Sequence, residues 1–345
     1  MKPPLLTAIT GLLAISAPAT SSPLSWTDIF NFAPPVCLPP PTPKTTRLPA
    51  ADLTKFIKPF MPPPRSGGLL SIPSFRPPLL NFTRKSLTTL FRDPHLGQFL
   101  AIAPNASMVL MRKQLRDDTR MAFPYTTFGK VFLRDGAKRG FCSGTMVGPN
   151  LLLTANHCIA WKSTGNWSVE FVPGFNAEDG RLPRPWGGAF AKQCLGVDAG
   201  VTDGRDYAVC ELDVPIGLST GYLGWRASLK NEFYLKGEWN SVGYPFTFRG
   251  GQVPATEEGI RMRKVENSGG EGGKVMASAP YVEQGWSGGG VFGWEGDEPF
   301  VAGVVTATVG TSAFDHIFAE FTFHAGGVRL AEMVQFGLTQ WSLLG

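Results

Sequence analysis

The chain has 345 residues, of which 43% are hydrophobic and 17% are charged, so it can bury a sizeable core and is not intrinsically disordered. Its formal charge is +5, but the excess lies in residues 1–110, which carry 10 Lys and Arg against 3 Asp and Glu. Residues 111–345 carry 22 against 24, which argues against a nucleic-acid-binding main domain.

Proline and glycine divide the chain at the same place. Residues 1–110 contain 20 of the 30 prolines, whereas 37 of the 41 glycines lie after them. A proline-rich chain favours extended, weakly packed segments, and a glycine-rich chain suits short strands joined by tight turns. The sequence therefore predicts two physically different parts.

The N-terminus has the pattern of a secretory signal peptide. Lys2 precedes the apolar stretch 5–15, and small residues follow at 17–19, so we expect a signal peptide over residues 1–19. The apolar stretch is far shorter than the roughly 20 residues that span a bilayer, and no later segment reaches that length. We expect a secreted, extracellular protein with no membrane partner, whose cysteines meet an oxidising compartment.

Residues 20–108 are interpreted as a Pro-rich pro-region. Clusters such as Pro62-Pro63-Pro64 prevent regular helix or a central strand. The positive charge of this segment favours docking on the slightly acidic remainder, and its weak packing would leave it open to removal by cleavage. A permanent Pro-rich arm is the alternative. Glycosylation triplets begin at Asn81, Asn105 and Asn166.

From residue 109 onward the pattern is all-β. Apolar runs at 131–133 and 141–147 flank the turn signal Asp135-Gly136, which predicts a hairpin. Further short apolar runs, separated by turn residues, follow at 151–153, 169–172, 207–212 and 301–305. Only residues 325–336 show helical spacing. The prediction is a β-rich domain with a C-terminal helix.

A histidine follows directly on an apolar strand in the segment 152–158, which ends in Asn156-His157-Cys158. Cys142 lies 16 residues before Cys158, across the predicted hairpin, where a disulfide would lie beneath the imidazole. A lone histidine is more often an ordinary surface or core residue, but the two cysteines that precede and follow His157 favour a functional histidine. The four cysteines of the domain allow three pairings. We expect the pairs Cys142–Cys158 and Cys194–Cys210, with Cys37 left in the N-terminal segment.

Asp206 stands at the head of a second apolar strand, directly before residues 207–212. A carboxylate buried there can orient an imidazole and stabilise the imidazolium. Asp198 and Asp203 are competing loop aspartates, and Asp206 is preferred because the strand begins immediately after it.

Ser287 lies in a glycine-rich segment, Gly285-Trp286-Ser287-Gly288-Gly289-Gly290. A serine hydroxyl becomes a nucleophile when a base removes its proton. Glycines let the chain turn sharply, so that the N–H groups of Gly285 and Ser287 can bind an oxyanion. An ordinary Gly/Ser-rich loop is the alternative.

The order His157, Asp206, Ser287 resembles the chymotrypsin-fold serine peptidases. The segments 117–120 and 123–129 resemble, more narrowly, the start of secreted glutamyl-endopeptidase-like enzymes. The resemblance covers residues 109–345 and implies two six-stranded antiparallel β-barrels, at about 109–222 and 223–345, with the histidine and aspartate on the first barrel and the serine on the second.

The resemblance implies a serine endopeptidase in which His157 is general base and then acid, Asp206 orients it, and Ser287 forms the acyl-enzyme. It also implies protein or peptide substrates, a monomer, and a new N-terminus, near Val109, that takes its place after processing. No metal or organic cofactor is expected, since the sequence has no His-Glu-x-x-His, Cys-x-x-Cys or phosphate-loop motif.

The resemblance also implies where the substrate pocket lies. Thr306 falls where the family supports the buried aspartate and lines the substrate backbone. Val305 stands where glutamyl endopeptidases have a histidine for the substrate carboxylate, and Tyr281 stands six residues before the serine, where trypsins are acidic. Neither a glutamate nor a Lys/Arg preference is therefore predicted. The expected pocket residues are Tyr281, Val305, Thr306, Thr308 and His316, although a role for His316 elsewhere in a strand is favoured.

Two alternatives stay open at this point. The segment 285–289 also fits the nucleophile elbow of an α/β-hydrolase esterase, which needs alternating strands and helices and a histidine after the serine, here His316 or His324. The other alternative is a catalytically inactive homologue that acts as a binding protein, against which the presence of all three residues weighs.

Overall fold

Short strands joined by tight turns form most of the regular structure, and two of the sheets they build carry the predicted site residues. The computed structural model describes residues 42–49, 52, 69–78, 98–101, 110–115, 117–180, 182–268, 272–280, 282–308 and 321–341. The strands are β1 Lys44–Leu48, β2 Leu69–Ile72, β3 Gln98–Ala101, β4 Leu110–Gln114, β5 Phe128–Asp135, β6 Lys138–Met146, β7 Leu151–Thr154, β8 Trp167–Pro173, β9 Ala189–Val197, β10 Ala208–Leu212, β11 Gly224–Ser228, β12 Trp239–Gly243, β13 Ala255–Ile260, β14 Met262–Asn267, β15 Gly273–Ser278, β16 Gly290–Glu295, β17 Glu298–Thr308 and β18 Thr322–Gly327. The helices are α1 Asp117–Arg120, α2 Gly217–Thr220, α3 Asn231–Lys236 and α4 Val328–Gln340.

Strands β5 to β10 close into a six-stranded antiparallel barrel. They follow the order β9-β10-β7-β6-β5-β8, and pairing of β8 with β9 closes the ring. The predicted β5–β6 hairpin turns at Gly136, with Asp135 opposite Lys138. Apolar side chains that alternate along the strands fill the interior, including Val131, Leu152, Val169, Phe171, Ala191 and Ala208.

The second sheet is an open antiparallel path in the order β14-β15-β18-β17-β16-β12-β13, and β4 and β3 extend it beyond β13. Strand β11 joins it by parallel pairing with β17. Its core is rich in large side chains, among them Trp239, Met276, Trp286 and Val305. The prediction of an all-β fold of the chymotrypsin type with a C-terminal helix is confirmed. The second sheet has eleven strands rather than the expected six, of which β2, β3 and β4 come from the N-terminal part of the chain.

The C-terminal helix begins later than the sequence pattern predicts. Helix α4 starts at Val328, whereas Ala325 and Gly326 belong to β18, where they pair with both β15 and β17. Gly327 ends the strand with a φ of +96°, a conformation that glycine adopts without strain. Leu330, Ala331 and Val334 are buried, so the predicted apolar face of the helix packs on the core.

Three proline-free windows of the Pro-rich segment form strands β1, β2 and β3, of which β3 pairs with β4 at the edge of the second sheet. Strand β1, between Pro43 and Pro49, pairs in parallel with β9, and β2 pairs antiparallel with β11. Arg47 of β1 forms an ion pair with Asp198 (2.9 Å). The signal peptide 1–19, Asn81 and Asn105 lie outside the described residues. Among the described helices, none is long and apolar enough to cross a bilayer.

Candidate active site

His157 and Asp206 meet because two neighbouring strands end side by side. Strand β10 pairs with β7 so that Ala208 lies opposite Thr154, which places the residues just outside both strands next to each other. One oxygen of the Asp206 carboxylate accepts from the main-chain N–H of His157 (3.0 Å), and the other lies 2.7 Å from its Nδ1. Asp206 is fully buried, whereas the His157 side chain is 30% exposed.

This arrangement determines which ring nitrogen is available. A carboxylate can only accept a hydrogen bond, so the Nδ1 of His157 carries the proton and donates to Asp206. The Nε2 is then left as an acceptor on the open side of the ring. Such an imidazole can take a proton from a neighbouring hydroxyl.

Disulfides support the first barrel on both sides of the histidine. Cys142 is joined to Cys158, directly after His157, and Cys194 to Cys210, which lie opposite each other on β9 and β10. These are the two pairings that the sequence predicts. One nitrogen of His157 lies within 4.8 Å of the two sulfurs of the first bridge. Because both sulfurs are bonded to each other, these three residues do not form a metal site.

Ser287 lies at the tip of a turn that depends on glycine. Gly285 and Gly288 have φ values of +95° and +83°. A methyl group at Gly288 would overlap the Thr154 Oγ1 and the Ser143 carbonyl of the first barrel. The turn therefore approaches the strand end of His157 as closely as only glycine permits. The Ser287 carbonyl also lies 3.9 Å from the Cys158 sulfur.

Two main-chain N–H groups of this turn are available to bind an anion. The carbonyl of Gln284 accepts from the N–H of Phe246 (2.8 Å), so the N–H of Gly285, on the opposite side of the same trans peptide, points away from that contact. Neither the N–H of Gly285 nor that of Ser287 donates to another described residue. Both predicted oxyanion donors are thus free within this part of the chain.

Ser143 of the first barrel makes four hydrogen bonds, and two of them hold the turn that carries Ser287. Its N–H donates to the Ser287 carbonyl (2.8 Å), and its carbonyl accepts from the Thr154 hydroxyl (2.8 Å). Its own hydroxyl donates to the Gly285 carbonyl (2.8 Å) and accepts from the N–H of Tyr244 (2.9 Å). The residue is fully enclosed and joins both halves of the site. Its role is not predictable from the local sequence, because its partners lie far away in the chain.

Thr306 occupies β17 beside the serine, but its hydroxyl does not support Asp206. The register of β17 against β18 shifts between Val305 and Ala307, so Thr306 lies in a bulge. Its Oγ1 donates to the Phe323 carbonyl (3.1 Å), and its own carbonyl accepts from the Ser287 hydroxyl (3.2 Å). The bulge explains the difference from the expected contact, since it redirects the side chain.

The remaining predicted pocket residues are only partly described. Val305 is fully buried and lies opposite His324, whose Nε2 is 3.1 Å from the Ser278 hydroxyl. Burial lowers the pKa of His324 to about 3, so this ring is neutral near pH 7. The main chain of Thr308 pairs with β18, but its side chain lies outside the described part, as do Tyr281 and His316. Asn166 is exposed in the loop before β8.

A buried lysine next to the site was also missed by the sequence analysis. Lys130 is 1% exposed, and its ammonium donates to the Gly251 carbonyl (2.7 Å). The rings of Phe132, Phe141 and Phe175 surround it, with Phe141 at 4.1 Å from the nitrogen to the ring centre. Burial lowers the pKa of Lys130 to about 7. Nothing in the local pattern of β5 signals this cluster.

The fold and the site geometry define a two-sheet protein of the chymotrypsin class. Residues 117–322 match the profile of the family described as Trypsin, which is more than half of the chain. The chain therefore belongs to the trypsin family. The α/β-hydrolase alternative is wrong, because the sheets around the site are built from antiparallel strands rather than from alternating strands and helices.

Individual relatives match only part of the chain, at about 30% identity. A glutamyl endopeptidase of Bacillus licheniformis is 30% identical over 109 residues, which are 30% of this chain and 32% of that protein. Exfoliative toxin A of Staphylococcus aureus is 28% identical over 146 residues, which are 40% of this chain and 49% of the toxin. The chain thus spans between about a third and a half of the length of these curated relatives.

Similar solved structures include a Glu endopeptidase in complex with MPD, with 20% identity and a TM-score of 0.49, over 66% of this chain and 97% of the other. Another is the protease Anisep from Arthrobacter nicotinovorans, with 18% identity and a TM-score of 0.45, over 58% of this chain and 90% of the other.

Proposed function

We propose that this protein is a serine endopeptidase that hydrolyses peptide bonds through His157, Asp206 and Ser287. The observation that carries the proposal is the 2.7 Å contact between the His157 Nδ1 and the fully buried Asp206, which leaves Nε2 as the free base. Membership of the trypsin family and the two free N–H donors beside Ser287 support it further.

The reaction follows from these groups. The Nε2 of His157 removes the proton of the Ser287 hydroxyl as the oxygen attacks the peptide carbonyl. The N–H groups of Gly285 and Ser287 donate to the negatively charged oxygen of the tetrahedral intermediate. His157 then protonates the leaving amine, and an acyl-enzyme remains. In the second half, Nε2 of His157 takes a proton from a water molecule as its oxygen attacks the ester, and then donates that proton to the Ser287 oxygen as the acid product leaves.

The proposed activity carries no preference for glutamate before the scissile bond, although the name of one relative states it. Val305 is an apolar residue at the position expected for a carboxylate-binding histidine. The histidine opposite it, His324, has its pKa lowered by burial to about 3 and would bring no positive charge to a substrate carboxylate at neutral pH. Specificity is therefore read best from an unbiased peptide library.

Labelling with a fluorophosphonate probe tests the nucleophile directly. We expect the secreted, processed protein to be labelled on Ser287, and the Ser287→Ala variant to remain unlabelled and correctly folded. A peptide-library digest, read by mass spectrometry, should then show internal cleavage. An unlabelled wild-type protein that still binds peptides would instead indicate the inactive homologue.

We further infer that the protein is secreted and processed. The support is the signal pattern at 1–19 and the change in composition near residue 108, and we place the mature start near Val109. Strands β1 and β2 would keep parts of the pro-region 20–108 bound after a cut, because both pair with the domain. N-terminal sequencing of active protein tests this inference. A start near Thr20 together with full activity would contradict it.

A further inference from the structure

A cavity of about 210 Å³ opens beside His157 on the first barrel. Its walls come from the turn that carries His157 and Cys158, from the β5–β6 hairpin, and from Trp167 and Ser168 at the start of β8. No residue of β17 contributes to it. The cavity is therefore walled by the first barrel alone, away from the strand that contacts Ser287.

The position of the cavity decides which part of a substrate can reach it. In the proposed reaction, the residues before the scissile bond run along β17, where the Thr306 carbonyl lies next to the Ser287 hydroxyl. The proposal is that the chain after the scissile bond continues past His157 onto the first barrel, where an extended peptide advances about 3.3 Å per residue. The cavity faces that second part.

Three cations of the β5–β6 hairpin, Arg134, Lys138 and Arg139, line this cavity and are called the basic rim below. Arg134 lies directly opposite Arg139 in the antiparallel register, an arrangement in which like charges repel. Partial burial, followed by the charge of Arg134, lowers the pKa of Arg139. The Arg139 guanidinium donates to the carbonyls of Gly136 (2.7 Å) and Lys138 (3.0 Å). None of the three cations forms an ion pair with a described residue.

One acid also lines the cavity, and it is engaged elsewhere. Asp135 accepts a hydrogen bond from the Ser163 hydroxyl (2.6 Å) and lies opposite Lys138 in the hairpin. Three cations against one anion make this face positive, although residues 111–345 carry two more acids than bases. The positive charge is therefore a local feature of the rim rather than a property of the whole domain.

We propose that the basic rim binds an acidic side chain of the substrate, Glu or Asp, at one of the first three positions after the scissile bond. This inference rests on the proposed function and adds a substrate class to it. Guanidinium groups match the geometry of a carboxylate and can donate two parallel hydrogen bonds to it. A carboxylate there would also relieve the repulsion between Arg134 and Arg139.

The test uses internally quenched peptides whose residues before the scissile bond are fixed from the library digest. The first, second and third residues after that bond are changed one at a time among Glu, Gln and Lys. At one of these positions we expect kcat/KM for Glu to exceed that for Gln by about two- to fivefold, the upper part of the range of an exposed ion pair. The ratio should shrink at 0.5 M NaCl, because salt screens exposed charges.

Variants of the hairpin connect the preference to the rim. In Arg134→Ala/Arg139→Ala the Glu-to-Gln ratio should fall to about one, and in Arg134→Glu/Arg139→Glu the Lys peptide should become favoured over the Glu peptide. Lys230→Ala/Lys236→Ala removes two exposed charges far from the cavity and should keep the wild-type ratio. A coumarin amide, which has no residues after the scissile bond, reports any effect of the substitutions on the rest of the site.

The outcomes separate the two proposals. Cleavage of all peptides at equal rates, or a preference that survives in Arg134→Ala/Arg139→Ala, would overturn the acidic subsite and leave the peptidase in place. If no peptide is cleaved and the fluorophosphonate does not label Ser287, the peptidase itself fails and the subsite fails with it. A preference that is lost in the hairpin variants and kept in the lysine control would establish the subsite.

Discussion

His157 is fixed by side-chain atoms of the first barrel, whereas Ser287 is fixed by the main chain of a turn next to the second sheet. The imidazole depends on one buried carboxylate and an adjacent disulfide. The serine depends on the φ values of Gly285 and Gly288 and on main-chain hydrogen bonds to the other barrel. A side-chain substitution at Asp206 should therefore remove the function of His157 without moving its main chain. The function of Ser287 should instead be lost when the main chain of its turn shifts.

The largest effect is expected for Asp206→Asn. The carboxylate uses one oxygen for the His157 main-chain N–H and the other for Nδ1, whereas an amide has only one acceptor oxygen. If that oxygen keeps the main-chain contact, the amide NH2 faces Nδ1 and donates to it, which moves the ring proton to Nε2 and removes the base. We expect kcat to fall about 10⁴-fold with the fold intact. Peptide hydrolysis and a circular dichroism spectrum check this. The matched control is Asp203→Asn, three residues earlier, which contacts Arg205 and Ser268 and should remain within threefold of wild type.

Gly288→Ala tests the backbone half. The added methyl group would overlap the Thr154 hydroxyl and the Ser143 carbonyl, and alanine is strained at a φ of +83°. We expect a loss of about 2 kcal/mol or more in the free energy of unfolding and about a hundredfold lower kcat. Gly259→Ala separates the two causes, because its φ is +68° but nothing lies near its methyl position. Equal losses in both variants, measured by urea unfolding and peptide hydrolysis, would mean that the close approach has no role.

Ser143→Ala should act on the oxyanion donors alone. Without its hydroxyl, the Gly285 carbonyl and the N–H of Tyr244 lose a shared partner, and the turn can rotate. We expect kcat to fall about tenfold to a hundredfold, less than for loss of an oxyanion donor itself, with KM nearly unchanged. Ser228→Ala is the control, since it removes another buried hydroxyl, which accepts from the N–H of Lys230. A similar fall of kcat in both variants would point to general destabilisation.

The smallest effect on catalysis is expected for Lys130→Met, which should instead change the pH dependence of the free energy of unfolding. Burial lowers the pKa of Lys130 to about 7 from an ordinary 10.5. Between these values the unfolded chain binds one proton more than the folded protein, so the free energy of unfolding rises with pH by up to about 1.4 kcal/mol per unit. Below pH 7 the lysine is charged in both states and its contribution is constant. The variant should lose this slope, so its stability relative to wild type is greatest at pH 6 and declines towards pH 9.5. Parallel urea-unfolding curves across that range would refute the assignment.

The predictable parts of the molecule are those in which chemistry and local pattern coincide. His157 and Asp206 each adjoin a short apolar strand, and pairing of these strands brings the strand ends together. The disulfides follow the same logic, because Cys194 and Cys210 occupy opposite positions on neighbouring strands. When functional residues adjoin short apolar strands, the pairing of those strands determines which of the residues come close together.

The parts that sequence reasoning missed depend on partners far away in the chain. Lys130 is tolerated in a buried position outside the barrel core because Phe175 and the Gly251 carbonyl reach it from distant segments. The hydrogen bond of the Thr306 hydroxyl depends on a bulge in β17, and no residue type in the sequence indicates that bulge. Helix α4 begins after Gly327 rather than at Ala325 because β15 pairs with residues 325–327 and β17 also pairs with residues 325–326, which keeps them in strand β18.

Strands β1 and β2 cover edges of β9 and β11 that would otherwise be exposed. Strand β9 pairs with β8 only near Ala189, and β1 takes over the free edge at residues 193–197. In the same way, β11 contacts β17 through residues 224–225, and β2 covers residues 225–228. A protein without β1 and β2 would present two short rows of open N–H and C=O groups, which are templates for pairing with other chains. Such a protein should self-associate at high concentration, and a free peptide corresponding to Lys44–Leu48 should suppress that association by adding to β9 as a strand.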